Sequence, residues 1–140
     1  VILALDVGSK RIGVAVSDPG GTFALPVTTI ERSNRRSDLA RIASIAEEYG
    51  AREIVVGDPV TLGGERGLAS QQIDTFVEAL REVFAGTIHR VDERMTTALA
   101  TKTLIAADVS RRRRRDVVDR MAAALILETF LARRKNAHRE

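Results

Sequence analysis

The chain contains no cysteine and no tryptophan, and its aromatic side chains amount to four Phe and one Tyr. The missing thiols exclude disulfides, thiolate metal sites and cysteine nucleophiles, and they are compatible with a cytoplasmic address. With so few rings, stacking platforms for single strands are not the expected device, and any contact with nucleic acid has to rest on phosphates. No stretch approaches the roughly 20 apolar residues of a membrane span. The sequence opens at Val1 on a strand-like run, with no basic and apolar leader in front of it, so nothing points to export or to a membrane partner.

What is present is the composition of a globular protein: 140 residues, 44% hydrophobic and 29% charged. A single domain over residues 1–140 is expected, long enough to bury about two thirds of its unfolded surface. The net charge is only +3, yet the isoelectric point is about 9.9 and the positive charge is bunched. Arg111, Arg112, Arg113, Arg114 and Arg115 form an unbroken run, and Arg133-Arg134-Lys135 follows. Such clustering points to a polyanionic partner. The bland alternative for the arginine run is a solvated loop.

The first eighteen residues organise the rest. An apolar run, Val1 to Leu5, meets Asp6, then a short polar segment, then a second apolar run from Ile12 to Val16, the pattern of a β-hairpin. Val1 to Leu5 shows no polar alternation, so both faces of that strand are expected to be covered, in the middle of a sheet. Asp6 then stands at the mouth of a buried strand, where an unsatisfied carboxylate costs several kcal/mol. Three readings fit it. Asp6 caps its own turn, or Asp6-x-Gly8 embraces a phosphate as in sugar kinases, actin and heat-shock ATPases, or Asp6 is a metal-binding acid on the central strand of an RNase H-like nuclease. The length removes the second in its usual form, because those proteins need two such domains with nucleotide between them.

Further along, Thr22 to Ile30 reads as a third strand with Pro26 at an edge or bulge. Ser37 is a credible N-cap for a helix carrying Leu39, Ile42, Ile45, Ala46 and Tyr49, which Gly50 ends. Glu53 to Gly57 is a fourth strand. The turn-rich stretch Asp58 to Gly67 leads into a helix with the apolar face Ile73, Phe76, Val77, Leu80, Val83 and Phe84. Thr87 to Val91 is a fifth strand, and a helix capped by Thr96 or Thr97 runs through Leu104. After the arginine loop, a final helix from about Asp116 to Arg134 is apolar on most of its circumference (Val118, Met121, Ala122, Leu125, Ile126, Phe130) and should pack on the sheet. The last few residues look disordered. The order βββαβαβα with a further helix is a mixed α/β layer architecture.

Acids stand in three places that a sheet can bring together: Asp6 after the first strand, Asp92 and Glu93 after the last, and Asp119 in the first turns of the final helix. Small residues Ala122 to Ala124 would let that helix approach closely. Carboxylates crowded at one spot disfavour ionisation unless a multivalent cation neutralises them, and ligation by carboxylates alone suits Mg²⁺ or Mn²⁺ better than zinc. His89 and His138 have no metal-ligand spacing.

Four segments, Ala4 to Asp18, Ile54 to Gly57 with the glycine loop, Val91-Asp92-Glu93-Arg94-Met95-Thr96-Thr97, and Asp119 with Ala122-Ala123, together resemble the YqgF/RuvX family. Its members are Holliday junction resolvases, also described as pre-16S rRNA nucleases. The resemblance covers essentially the whole chain. It implies an RNase H-like α/β fold, a mixed sheet of three antiparallel strands plus parallel strands flanked by helices. It also implies a metal-dependent phosphodiesterase whose catalytic and metal-binding acids map onto Asp6, Glu93 and Asp119. In that mechanism two Mg²⁺ or Mn²⁺ ions about 4 Å apart straddle the scissile phosphate, one activating a water and the other stabilising the leaving 3′ oxygen.

Lys10 and Arg94 are candidates to steady phosphate oxygens, against a solvated lysine and a salt bridge to Glu93. The glycine loop is either a phosphate cradle or a flexible turn, and Arg111 to Arg115 would clamp a flanking strand. The partner is then nucleic acid, either branched DNA or precursor rRNA. A homodimer suits symmetric junction cutting, although no motif supports it. Asp58 departs from the family, which usually has an apolar residue there; it is an extra outer-shell acid or, more simply, the start of a turn. Asp116, three residues before Asp119, either assists the metal or complements the helix N-terminus. Two rivals belong to other classes: a non-catalytic nucleic-acid binding module, and a nucleotide-binding half-domain.

Overall fold

The computed structural model describes residues 1–58, 67–92 and 111–139, without the side chains of residues 68, 69, 111–116, 138 and 139. Among these, five strands form one sheet: β1 (Ile2–Val7), β2 (Arg11–Ser17), β3 (Ala24–Glu31), β4 (Glu53–Asp58) and β5 (Thr87–Asp92). Three helices accompany them: α1 (Arg35–Tyr49), α2 (Leu68–Val83) and α3 (Arg111–Arg139). The strand order is β3-β2-β1-β4-β5. β1 to β3 are antiparallel, whereas β4 runs parallel to β1, and β5 parallel to β4. The mixed sheet expected from the sequence is therefore present, with β1 at its centre, as the uniformly apolar run from Ile2 to Leu5 requires.

The strands present alternate residues to two cores. Leu3, Leu5, Ile12, Val14, Ile54 and Val56 pack with Leu39, Ile42 and Ala46 of α1 and Ile73, Phe76, Val77 and Leu80 of α2. Ile2, Ala4, Ala15, Val55 and Val91 face α3, which meets them with Ala122, Ala123, Ala124, Ile126, Leu127 and Leu131. Of the apolar residues expected to seat this last helix, Ala122 and Ile126 are buried, whereas Val118, Met121, Leu125 and Phe130 are half-buried along its flanks. Met121 and Leu125 lie in the same turns as the buried residues but to the side of their face, so the sheet covers them only in part.

Several local expectations hold for the stated reasons. β3 is an edge strand, and its register against β2 slips where Val14 pairs with Thr28 but Ala15 pairs with Pro26. The missing proline donor is thus tolerated at the slip. Gly50 closes α1 in the left-handed region at φ 66°, which a glycine enters without steric cost.

Other expectations need correction. Asn34, not Ser37, caps α1: its side chain accepts from the Ser37 backbone N–H, and the helix starts at Arg35. Val83 is exposed rather than part of the α2 core. The arginines are not a loop, since α3 begins at Arg111; arginine is a good helix former and nothing in the run breaks a helix. Asp116 and Asp119 consequently lie in the second and third turns, beyond the first-turn reach of the helix dipole. At the other end α3 continues to Arg139, through residues expected to be disordered. The helix expected after Thr96 or Thr97 falls outside the described residues.

Candidate active site

Asp6 occupies the last but one position of β1 and is 5% exposed. Its register partner on β2 is Gly13. Alternation along β1 puts Asp6 with Ile2 and Ala4, on the face that α3 covers. At Gly13 α3 lies directly against the sheet: a Cβ added there would lie 1.9 Å from the backbone oxygen of Asp119 and 2.9 Å from the nitrogen of Arg120. Only glycine fits, because the obstacle is helix backbone and cannot swing aside. Asp119, distant from Asp6 in sequence, is thus brought beside the strand position that Asp6 faces.

Arg11 supplies the charge there. It opens β2 on the same face as Gly13 and Ala15, and its Nε–H donates to Asp119 Oδ2 at 2.8 Å, with side chains 22% and 18% exposed. Lys10, rather than Arg11, stood out in the sequence. The available signal was phase: odd positions of β2 share the face of Gly13, so Arg11 points toward α3. Lys10 itself lies exposed in the β1–β2 turn.

That turn is braced from the opposite face. Gly8 N–H donates to the Arg11 carbonyl at 2.8 Å, and Arg32 N–H to the Lys10 carbonyl at 2.9 Å. The Arg32 guanidinium donates to the Gly8 carbonyl at 2.7 Å, pairs with the buried Asp38 of α1, and lies over the Phe76 ring of α2. The chain leaving Asp6 is therefore tied to both helices of the larger core.

The turn expected to start at Asp58 runs into residues outside the described ones, while the Asp58 side chain lies on the face away from Asp6. Asp58 ends β4 on the α1/α2 face, where Ser70 Oγ donates to it at 2.6 Å and Arg90 at 2.8 Å. Arg90 also pairs with Asp74 of α2. Asp58 thus clasps the ends of β4 and β5 to α2, and Asp92 is its register partner on β5. His89, an ordinary strand residue by sequence, meets Glu53 at 2.9 Å and packs against Phe130. Arg134 closes on the same carboxylate at 2.7 Å, and its guanidinium is the main reason that Glu53 is held down to about 2.

Glu93 and Arg94 fall outside the described residues, as does most of the glycine loop; Gly67, its last residue, is the N-cap of α2. Arg111 to Arg115 form the first turns of α3. Among the described residues no group of three His, Cys, Asp or Glu is placed to hold a metal. The two candidate acids that are described, Asp6 and Asp119, offer oxygen donors only, which fits a hard divalent cation such as Mg²⁺ or Mn²⁺. Among the described residues, no helix is long and apolar enough to cross a membrane.

A β3-β2-β1-β4-β5 mixed sheet with a long helix packed across its centre is the RNase H-like arrangement, and solved structures of RuvC share it. A Thermus thermophilus RuvC in complex with a Holliday junction substrate matches with a TM-score of 0.55 at 15% identity, covering 94% of each chain. A second structure of Thermus thermophilus RuvC gives 0.53 at 14% identity over 96% of each. Sequence carries the assignment further. Residues 1–133 match the model of the family described as "RuvX: Holliday junction resolvase", and the chain belongs to that family. A "Putative pre-16S rRNA nuclease" of Thermoanaerobacter pseudethanolicus is 46% identical over 96% of this chain and 98% of its own length. One of the same name from Desulforudis audaxviator is 42% identical over 96% of each.

Proposed function

We propose that this protein is a divalent-metal-dependent endonuclease that hydrolyses phosphodiester bonds in structured nucleic acid, with Asp6, Glu93 and Asp119 as its catalytic and metal-binding acids. The observation that supports the reading is the close approach of the Asp119 backbone to Gly13, the register partner of Asp6 at the end of the central strand. Glu93 enters by sequence position. It directly follows β5 in the sequence and is taken from the resemblance of Val91-Asp92-Glu93-Arg94-Met95-Thr96-Thr97 to the family. A divalent cation held by such carboxylates supplies an activated water and offsets charge on the leaving oxygen.

The protein's own groups do the rest. Burial of Asp6 under α3 limits water around the acids, and the braced β1–β2 turn keeps its carboxylate in place. Lys10 and Arg94 steady phosphate oxygens near the cut. Arg111 to Arg115 bind the backbone of a flanking strand without reading sequence, so selectivity is for shape. Relatives at 42–46% identity carry the name of a precursor-rRNA nuclease, which favours precursor 16S rRNA over a four-way DNA junction as the physiological substrate. An rRNA-processing enzyme works in the cytoplasm.

The test is cleavage of both substrates side by side with Mg²⁺ or Mn²⁺. Wild-type protein is expected to cut the precursor RNA faster, and Asp6→Asn and Asp119→Asn each to abolish cutting while leaving binding largely intact. Neutralising Arg111 to Arg115 should weaken binding and lower the log-log salt slope by about 0.9 for each phosphate that the variant leaves unneutralised. Cleavage that survives in both acid variants defeats the site. Binding without any wild-type cleavage identifies a non-catalytic module instead, and ATP hydrolysis without nuclease activity a nucleotide-binding half-domain.

A further inference from the structure

We propose that Arg11 is the resident counter-ion of this acidic site: its guanidinium pairs with Asp119 until a divalent cation takes that carboxylate, and it then turns to a phosphate oxygen of the nucleic acid. The inference rests on the reading of Asp6 and Asp119 as cation ligands. Arg11 and Gly13 share the α3 face of β2, and Gly13 is the register partner of Asp6. The bond from Arg11 Nε to Asp119 Oδ2 is 2.8 Å long, between side chains 22% and 18% exposed.

Two carboxylates on one partly desolvated face repel each other unless a positive charge stands beside them. Before a cation arrives, the guanidinium supplies that charge. Once a divalent ion engages the same carboxylate, ion and guanidinium are like charges competing for one group, and the ion carries twice the charge at shorter range. The released arginine remains in the site. It presents five N–H donors in a planar fork, a geometry that matches phosphate oxygens. The sequence thus places a phosphate ligand where the cation's arrival frees it, so that nucleic acid is gripped there only after the metal has bound.

Titration of the metal-free protein with Mn²⁺, followed by calorimetry and by the spin-resonance signal of free Mn²⁺, tests the first half. Arg11→Gln should bind Mn²⁺ about fivefold more tightly than wild type, the size of a partly exposed ion pair. Lys10→Gln removes an equal charge from the neighbouring exposed position and should change affinity by less than about twofold. Arg11→Lys, with a point charge in place of the fork, should fall between wild type and Arg11→Gln, and it serves if the glutamine variant does not fold. The second half is read from nucleic-acid affinity in Ca²⁺ and in EDTA: Arg11→Gln should lose affinity in Ca²⁺ and match wild type in EDTA. Unchanged or weaker Mn²⁺ binding in Arg11→Gln, or an equal gain in Lys10→Gln, overturns the proposal. Asp119→Asn separates the two levels. If it leaves Mn²⁺ binding intact, the reading of the acids fails; if it weakens binding while Arg11→Gln changes nothing, only the counter-ion role fails.

Discussion

The two faces of the sheet are filled with side chains of different size. Toward α1 and α2 the packing residues are mostly large, with Leu3, Leu5, Ile12, Ile42, Ile54 and Leu80 all essentially inaccessible. Toward α3 the centre is made of small ones: Ala4, Ala15, Gly13 and the Ala122 to Ala124 run. Large side chains hold helices about 8–10 Å from their neighbours and remove much apolar surface from water. Small ones bury less per residue but let backbone meet backbone, as Asp119 does at Gly13. The first face chiefly stabilises the fold, and the second seats the Asp119 backbone on Gly13 and its carboxylate on Arg11.

Substitutions on each face sharpen that contrast. The largest stability effect is expected from Leu80→Ala, a cavity beneath α2 that costs about 3 kcal/mol in chemical denaturation and leaves cleavage by the folded fraction within about twofold. Gly13→Ala should cost about 2 kcal/mol through overpacking yet lower cleavage about 100-fold, because moving Asp119 by the order of 1 Å misplaces a reacting group. Equal losses of cleavage in the two variants, per folded molecule, would erase the division of labour.

Glu53→Gln, on the α3 face but at the opposite end of β4 from the acids, is worth about 1 kcal/mol after allowance for its partial exposure. Glu53 is depressed in the folded state from 4.5 to about 2, so its contribution is fully present above about pH 4.5 and is lost as pH falls toward 2. Urea midpoints of Glu53→Gln and wild type should therefore differ at pH 7 and converge over that acid range. A constant difference would assign the effect to packing. The smallest change is expected at Val83, 46% exposed at the end of α2, where Val83→Ser should alter stability by less than about 0.5 kcal/mol.

The five strands and most of the helix faces were legible because burial imposes a period on the residues themselves. Val1 to Leu5 announced a central strand, Pro26 an edge or bulge, and Gly50 the end of a helix. The start of α3 was not legible. Five adjacent arginines carry no apolar phase, so a helical backbone through them looks the same in sequence as a solvated loop. Asp58 was missed for another reason: its partners Ser70 and Arg90 are 12 and 32 residues away, and no local pattern records that pairing.

The order of residues alone determined which segments become strands and helices, which of their faces turn inward, and which acids end strands, since each follows from side-chain chemistry repeated at a fixed local spacing. Only the folded chain decided that Gly13 receives the backbone of Asp119, that Arg11 rather than Lys10 reaches its carboxylate, and that Asp58 faces away from Asp6. Those relations depend on packing distance and register between segments up to 108 residues apart, and neither quantity is encoded in any single stretch.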